Sequence, residues 1–256
     1  MFLNNSSLFR IANIIAFCLT IVVNALAGST TFIGGQVTAD ISNANFSLIT
    51  PAGYVFSIWG IIYTLLGVYV VFQALPSQKG KDYQSKIGWL FVLSCLINVV
   101  WLFLWQYEYL IFSVILMFML LATLIVIYLR LDIGKSNAKL NEKLAVHLPF
   151  STYLGWITIA AIANVATTLV SIKWDGSGIN PETWASLIII IALFLSMMVV
   201  VTRKDVAYGL VIVWAFIGIS VAQTANPSIV TLTQIGAIVV LLVLVVSIAY
   251  SKLRKK

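Results

Sequence analysis

Charge is what this sequence has least of. Only 9% of its 256 residues are Asp, Glu, Lys or Arg, while 61% are hydrophobic and the mean hydropathy is +1.06. A soluble domain carries about 25% charged residues. It could not hide this much apolar surface, because more than half of a folded protein's accessible area still faces water. Lipid is therefore the solvent for this chain. Cysteine occurs only at Cys18 and Cys95, in apolar runs with no C-x-x-C spacing, and both read as buried thiols packing as small apolar groups. The one histidine, His147, stands at the start of an apolar run and reads as an interfacial residue, with axial ligation of a haem iron as the alternative. The acids Asp40, Asp82, Glu108, Asp132, Glu142, Asp175, Glu182 and Asp205 all fall in loops or at the ends of apolar runs, and no lysine lies inside one. Ionisable groups held in the membrane core are the usual mark of proton relays and retinal anchors, so both are excluded. A nucleophile–base pair and a Gly-rich phosphate loop followed by Lys-Ser/Thr are also missing, which removes the usual hydrolases and ATPases.

What the chain does contain is long apolar runs. Crossing the ~30 Å hydrocarbon core takes about 20 apolar residues in a helix. Such runs cover Leu8–Gly28, Ala52–Leu75, Ile87–Trp105, Tyr109–Leu129, Leu148–Ile172, Trp184–Val201, Val206–Gln223 and Ser228–Tyr250. The sixth and seventh are short. The expected fold is all-α, a polytopic membrane bundle of about eight helices. Lys and Arg accumulate on the cytoplasmic side of membrane proteins. With the N-terminus inside, every Lys and Arg except Lys173 falls inside, including the closing cluster Arg254, Lys255 and Lys256. A missed or invented helix would scramble that alternation, so both termini are expected to be cytoplasmic. The basic balance is then a topology signal that requires no nucleic-acid partner. Arg10, a short apolar run and Ala25-Leu26-Ala27 also fit a signal peptide with an A-x-A site, whose removal leaves seven helices.

The informative residues are uncharged and aromatic. Asn24, Asn98 and Asn164 lie in the first, third and fifth runs, where an amide seeks a partner on a neighbouring helix or a ligand. Helical spacing places Trp59 with Tyr63 on one face, Asn98 with Trp101 and Trp105 on another, and Trp156, Ala160 and Asn164 on a third. One such stripe is ordinary packing. Three on separate helices, with polar tips and a small-residue gap at Ala160, suit a pocket for a flat apolar ligand. Trp89, Trp174 and Trp184 suit the interface belt. In the seventh run Ala215, Gly218 and Ala222 make one face small enough for close packing against the rest of the chain or a second copy of it.

These stripes carry a resemblance. The second run begins Thr50-Pro51-Ala52-Gly53-Tyr54-Val55-Phe56-Ser57-Ile58-Trp59-Gly60-Ile61-Ile62-Tyr63. The third carries Asn98-Val99-Val100-Trp101, and the fifth carries Tyr153-Leu154-Gly155-Trp156 with Asn164 eight residues later. In this order, with a long loop after the first run, they resemble the tryptophan-rich sensory protein (TspO/MBR) family, which includes the mitochondrial translocator protein. The resemblance covers roughly residues 1–172. It implies a five-helix membrane domain, taken as 1–175, followed by a three-helix membrane extension, 176–256. It further implies a pocket near the Ser29–Thr50 loop, which would be its lid, taking porphyrin, haem, sterols or aromatic drug-like molecules.

By position the resemblance assigns Phe56, Trp59, Tyr63, Asn98, Trp101, Trp105, Trp156, Ala160 and Asn164 to ligand binding. Trp59 and Trp156 match a pair linked in bacterial relatives to light-dependent porphyrin breakdown. The leading expectation is a receptor or carrier for a flat hydrophobic ligand, porphyrin or haem first, in a bacterial inner membrane. No resident cofactor or metal is required, and the partners are lipid, the ligand and a second copy. The alternatives are a light-dependent porphyrin-degrading enzyme and a secondary transporter of a small apolar solute.

Overall fold

The computed structural model describes residues 5–253, with side chains from 8 to 249. Arg254, Lys255 and Lys256, expected as a basic cytoplasmic end, lie outside the described residues. All regular structure among the described residues is helical: α1 Asn5–Ser29, α2 Thr38–Ala44, α3 Ile58–Ala74, α4 Asp82–Ile87, α5 Leu90–Gln106, α6 Leu110–Arg130, α7 Leu140–Glu142, α8 Leu148–Ser171, α9 Pro181–Arg203, α10 Val206–Ala222 and α11 Pro227–Leu253. Six helical stretches are long and apolar enough to cross a membrane, and α5 and α10 are shorter apolar helices. The outward faces are apolar, as lipid requires: Val71, Phe194 and Val245 are 66%, 63% and 63% exposed.

The expected runs are present, with local revisions. The seventh is short as expected, 17 residues in α10, and the third is equally short, 17 residues in α5 or about 26 Å of rise. Gly88 at φ 51 separates it from α4, which takes Ile87. The sixth is longer than expected, 23 residues in α9, because Asn180 caps its start, Pro181 opens it and left-handed Lys204 closes it. The second is not one α-helix. Gly53–Ser57 is a 3-10 turn leading into α3. Its backbone is engaged sideways: Ala52 N–H donates to Gly218 O at 3.0 Å, and Val55 O accepts the Trp214 indole N–H at 3.2 Å. Cys95 is buried as expected, whereas Cys18 is exposed on α1 because its position falls on the outward face.

The chain forms two compact units, Met1–Ala44 with Ile58–Leu154, and Asn45–Ser57 with Gly155–Lys256. In the first, α5 packs against α1 and α6, and α1 against α3. Tyr69, Phe91 and Phe150 meet edge to face with centroids 5.0, 5.1 and 5.9 Å apart. In the second, α10 packs against α9, α11 and the 3-10 turn, and α11 against α9. Glycines allow the close approaches there. A Cβ at Gly155 would stand 3.1 Å from Tyr208 O, and one at Gly218 would stand 2.1 Å from Val55 Cγ2. The small face of α10 is thus packed within its own unit, with Ala215 fully buried.

Three helix ends share one device. After α5, α6 and α8 the residues Glu108, Asp132 and Lys173 take φ of 58, 49 and 55. Each closes a paired 6→1 and 5→2 hydrogen-bond motif, for example Tyr109 N to Leu104 O at 2.8 Å and Glu108 N to Trp105 O at 3.0 Å.

Candidate ligand site

The first unit gathers five of the nine expected site residues. Trp59 and Tyr63 share a face of α3 one turn apart, and their rings stack with centroids 5.5 Å apart and planes 18° apart. Trp101 of α5 lies 6.3 Å from Trp59 at 30°, and Trp105, one turn on, is 5.7 Å from Trp101. Tyr153, from the first turns of α8, meets Trp59 edge-on at 6.1 Å. Trp101 and Trp105 are buried, but Trp59 and Tyr63 are only half-buried.

A directed chain of polar side chains runs behind these rings. Tyr63 Oη–H donates to Asn24 Oδ1 at 2.6 Å, Asn24 Nδ2 donates to Asn98 Oδ1 at 2.8 Å, and Asn98 Nδ2 donates to Tyr153 Oη at 3.3 Å. Asn24 Nδ2 also donates to Thr20 O at 2.9 Å. Both amides are thereby oriented, with each carbonyl accepting and each NH2 donating. Four side chains tie α3, α1, α5 and α8 together, and interhelical bonds of this kind contribute about 0.6 kcal/mol each. Asn24 and Asn98 thus satisfy each other across helices.

At the end of α5 the start of the long loop is fastened down. Gln106 Nε2 faces three carbonyls: Gln36 O at 2.7 Å, Ile33 O at 3.2 Å and Ala27 O at 3.3 Å. The Trp105 indole N–H donates to Thr38 O at 3.1 Å. Gly34, at φ +72, lies so close that a Cβ would stand 2.3 Å from Gln106 O. The expected lid is therefore not a free loop over this stretch: it carries α2 and is held by the residues that close the aromatic cluster. Gln106 lies outside the expected set, because a glutamine ending an apolar helix has the pattern of an interfacial residue. Its position next to Trp105 was the available signal.

The other four expected residues belong to the second unit. Phe56 meets Trp156 edge to face at 5.9 Å, and Trp156 is buried. Ala160 and Asn164 follow one and two turns later on α8, half-buried and buried respectively, and Asn164 O accepts Thr168 Oγ1–H at 2.8 Å. Trp214 of α10 and Gln223, which caps the end of that helix, are both outside the expected set and hold the 47–55 segment. Tyr54 packs edge-on against Trp214 at 5.3 Å, and Gln223 Nε2 donates to Ser47 O at 2.9 Å and Thr50 O at 3.4 Å. His147 is buried, its Nε2 3.9 Å from Glu142 Oε1.

An all-helical membrane chain with an aromatic cluster of tryptophans on α3 and α5, backed by paired asparagines, defines a tryptophan-rich membrane bundle. The family model described as TSPO-like protein matches residues 10–247, and the chain belongs to this family. The match runs through α9, α10 and into α11, so it takes in the last three membrane helices as well as the first five. No curated protein and no solved structure matches the chain.

Proposed function

We propose that this protein is a membrane receptor or carrier for a flat hydrophobic ligand, with porphyrin or haem as the ligand to test first. It works in the cell membrane with both termini on the cytoplasmic side, as the distribution of Lys and Arg indicates. The observation that carries the reading is the half-buried Trp59, flanked by Tyr63 and Trp101. Indole faces offer a flat apolar surface for a tetrapyrrole, and TSPO-like family membership supports the same reading. The Asn24–Asn98 pair keeps the cluster rigid behind that surface, so little ordering is needed on binding.

Titration of protoporphyrin IX into the purified protein in the dark, followed by the porphyrin's own absorbance, tests it. Saturable binding is expected. Trp59→Ala and Trp101→Ala should each weaken it roughly 2- to 12-fold, the equivalent of an aromatic contact of ~0.5–1.5 kcal/mol. Trp184→Phe, in the second unit, should leave it unchanged. Binding of equal strength in all four proteins would show that the aromatic cluster is core packing.

A further inference from the structure

The helix that carries Tyr153 is longer than a bilayer requires. Leu140–Ser171 is one helical run of 32 residues, made of α7, a π-turn at Lys143–His147 and α8. At 1.5 Å per residue it measures about 48 Å. The hydrocarbon core is ~30 Å thick, and the bilayer with its headgroups ~40–45 Å. The 24 residues of α8 cover the core unaided, so residues 140–147 stand in the headgroup layer. The end of the first unit at which they stand follows from its rings. Trp59 meets Tyr153 and Tyr69 meets Phe150. Hence α3 runs antiparallel to α8, and its last turns pack against residues 143–147. Lys79 and Lys81, which follow α3, are exposed at the same end.

The leading turns have two faces. Ala145, Val146 and His147 are buried, and Glu142 faces His147 at 3.9 Å. On the other face Leu140 is 71% and Leu144 53% exposed, with Lys139 and Lys143 exposed beside them. Spacings of four set the leucines in one row and the lysines in a parallel row. Exposed Lys135 stands on the approach. Among the described residues, none of Lys79, Lys81, Lys135, Lys139 and Lys143 forms an ion pair; the nearby acids Asp82 and Glu142 face Lys86 and His147 instead. Leucines at this depth have acyl carbons within reach, and lysine stems lie along apolar surface while their ammonium groups stay at phosphate level. Lysines bordering leucines on one helical face are the pattern of a segment that settles on a membrane surface, and clustered lysines there attract anionic headgroups. A protein partner would have to bring its own acidic groups into a layer that lipid phosphates already fill.

We infer that the exposed face of residues 139–144 is a docking surface for the anionic headgroups of the leaflet in which it stands. Leu140 and Leu144 insert among the lipids, Lys139 and Lys143 hold the phosphates, and Lys79, Lys81 and Lys135 add charge around them. A nitroxide on Asn141→Cys, exposed beside the leucines, reads this in the full-length protein once the exposed Cys18 is replaced by Ser. The labelled protein is placed in vesicles of phosphatidylcholine alone, or of phosphatidylcholine and phosphatidylglycerol in equal parts. Power saturation then compares collisions with oxygen, which enriches in lipid, and with a nickel chelate, which stays in water. Nickel accessibility relative to oxygen should fall several-fold when phosphatidylglycerol is present. Lys139→Gln with Lys143→Gln should remove most of that fall, and Leu140→Ser with Leu144→Ser should leave the label open to nickel in both vesicles. Equal accessibility in the two vesicles would overturn the inference, because the face would then ignore headgroup charge. A full response retained in the lysine pair variant would overturn the assignment to this face. Exclusion of both reagents in either vesicle would overturn it too, since a protein surface would then cover the leucines.

Discussion

The two units hold their helices together by different means. In the first, side chains reach across: the Tyr63–Asn24–Asn98–Tyr153 chain joins four helices, and Gln106 gathers the carbonyl of Ala27 in α1 and those of Ile33 and Gln36 in the loop. In the second, backbones come close. Gly155 and Gly218 let α8 and the 51–55 segment approach α10, and Ala52 bonds directly to Gly218 O. Lipid is as apolar as leucine and supplies no hydrophobic drive between helices, so packing and hydrogen bonds must do the work. The first solution leaves aromatic faces partly open and suits a binding surface. The second brings backbone close to its neighbours at Gly155 and Gly218, and suits a scaffold.

If this contrast is correct, the largest loss should come from enlarging a contact glycine in the second unit. Gly218→Val is expected to destabilise by about 3 kcal/mol, at the upper end for overpacking a well-filled core, with loss of the Ala52 bond. Gly218→Ala should cost less, and Val55→Ala should partly rescue it, because the clash at 2.1 Å is with Val55 Cγ2. Equilibrium unfolding in mixed detergent micelles measures both. Failure of the rescue would mean that the 51–55 segment is not what Gly218 accommodates.

Gln106→Leu comes next, at about 1–3 kcal/mol, the cost of buried polar groups left without partners. Its effect should be local. Hydrogen exchange should rise for residues 30–38, while the stability of the second unit stays the same. Uniformly faster exchange would show that the glutamine supports the bundle as a whole and not the loop. A smaller effect is expected from the double-mutant cycle on Asn24→Ala and Asn98→Ala. Its coupling energy should fall between ~0.6 and ~1.7 kcal/mol, the average and the maximum measured for interhelical hydrogen bonds. A coupling of zero would reduce the amide chain to a coincidence of packing.

Much of this was legible in the sequence, for physical reasons that differ by level. The runs follow from apolar length, and the Trp59–Tyr63 and Asn98–Trp101–Trp105 faces follow from 3.6-residue periodicity; both are local signals. The Asn24–Asn98 pairing could be anticipated in kind, since an amide in lipid needs a partner, but not in identity. What hydropathy could not register was backbone geometry. The 3-10 turn at Gly53–Ser57 lies inside a continuous apolar run and is fixed by Gly218 and Trp214, more than 150 residues away. Gln223 was equally hidden, because its carbonyl partners at Ser47 and Thr50 carry no side-chain signature.

The smallest effect sharpens the contrast most finely. Glu108 occupies a left-handed position at the end of α5, φ 58, and its exposed carboxylate accepts Gln36 Nε2–H at 2.9 Å. Left-handed backbone costs a residue with a Cβ roughly 1–2 kcal/mol, and glycine's greater unfolded-state freedom offsets about 0.5–1 of that. Losing the exposed bond to Gln36 takes back about 0.5 kcal/mol, so Glu108→Gly should stabilise the first unit by at most ~1 kcal/mol, read as a higher unfolding midpoint. Exchange at residues 30–38 should stay at the wild-type level, since buried Gln106 already holds Gln36 O. If exchange instead rises as far as in Gln106→Leu, the exposed Glu108–Gln36 bond is the real fastening of the loop. The aromatic site would then open and close with the surface chemistry at its rim.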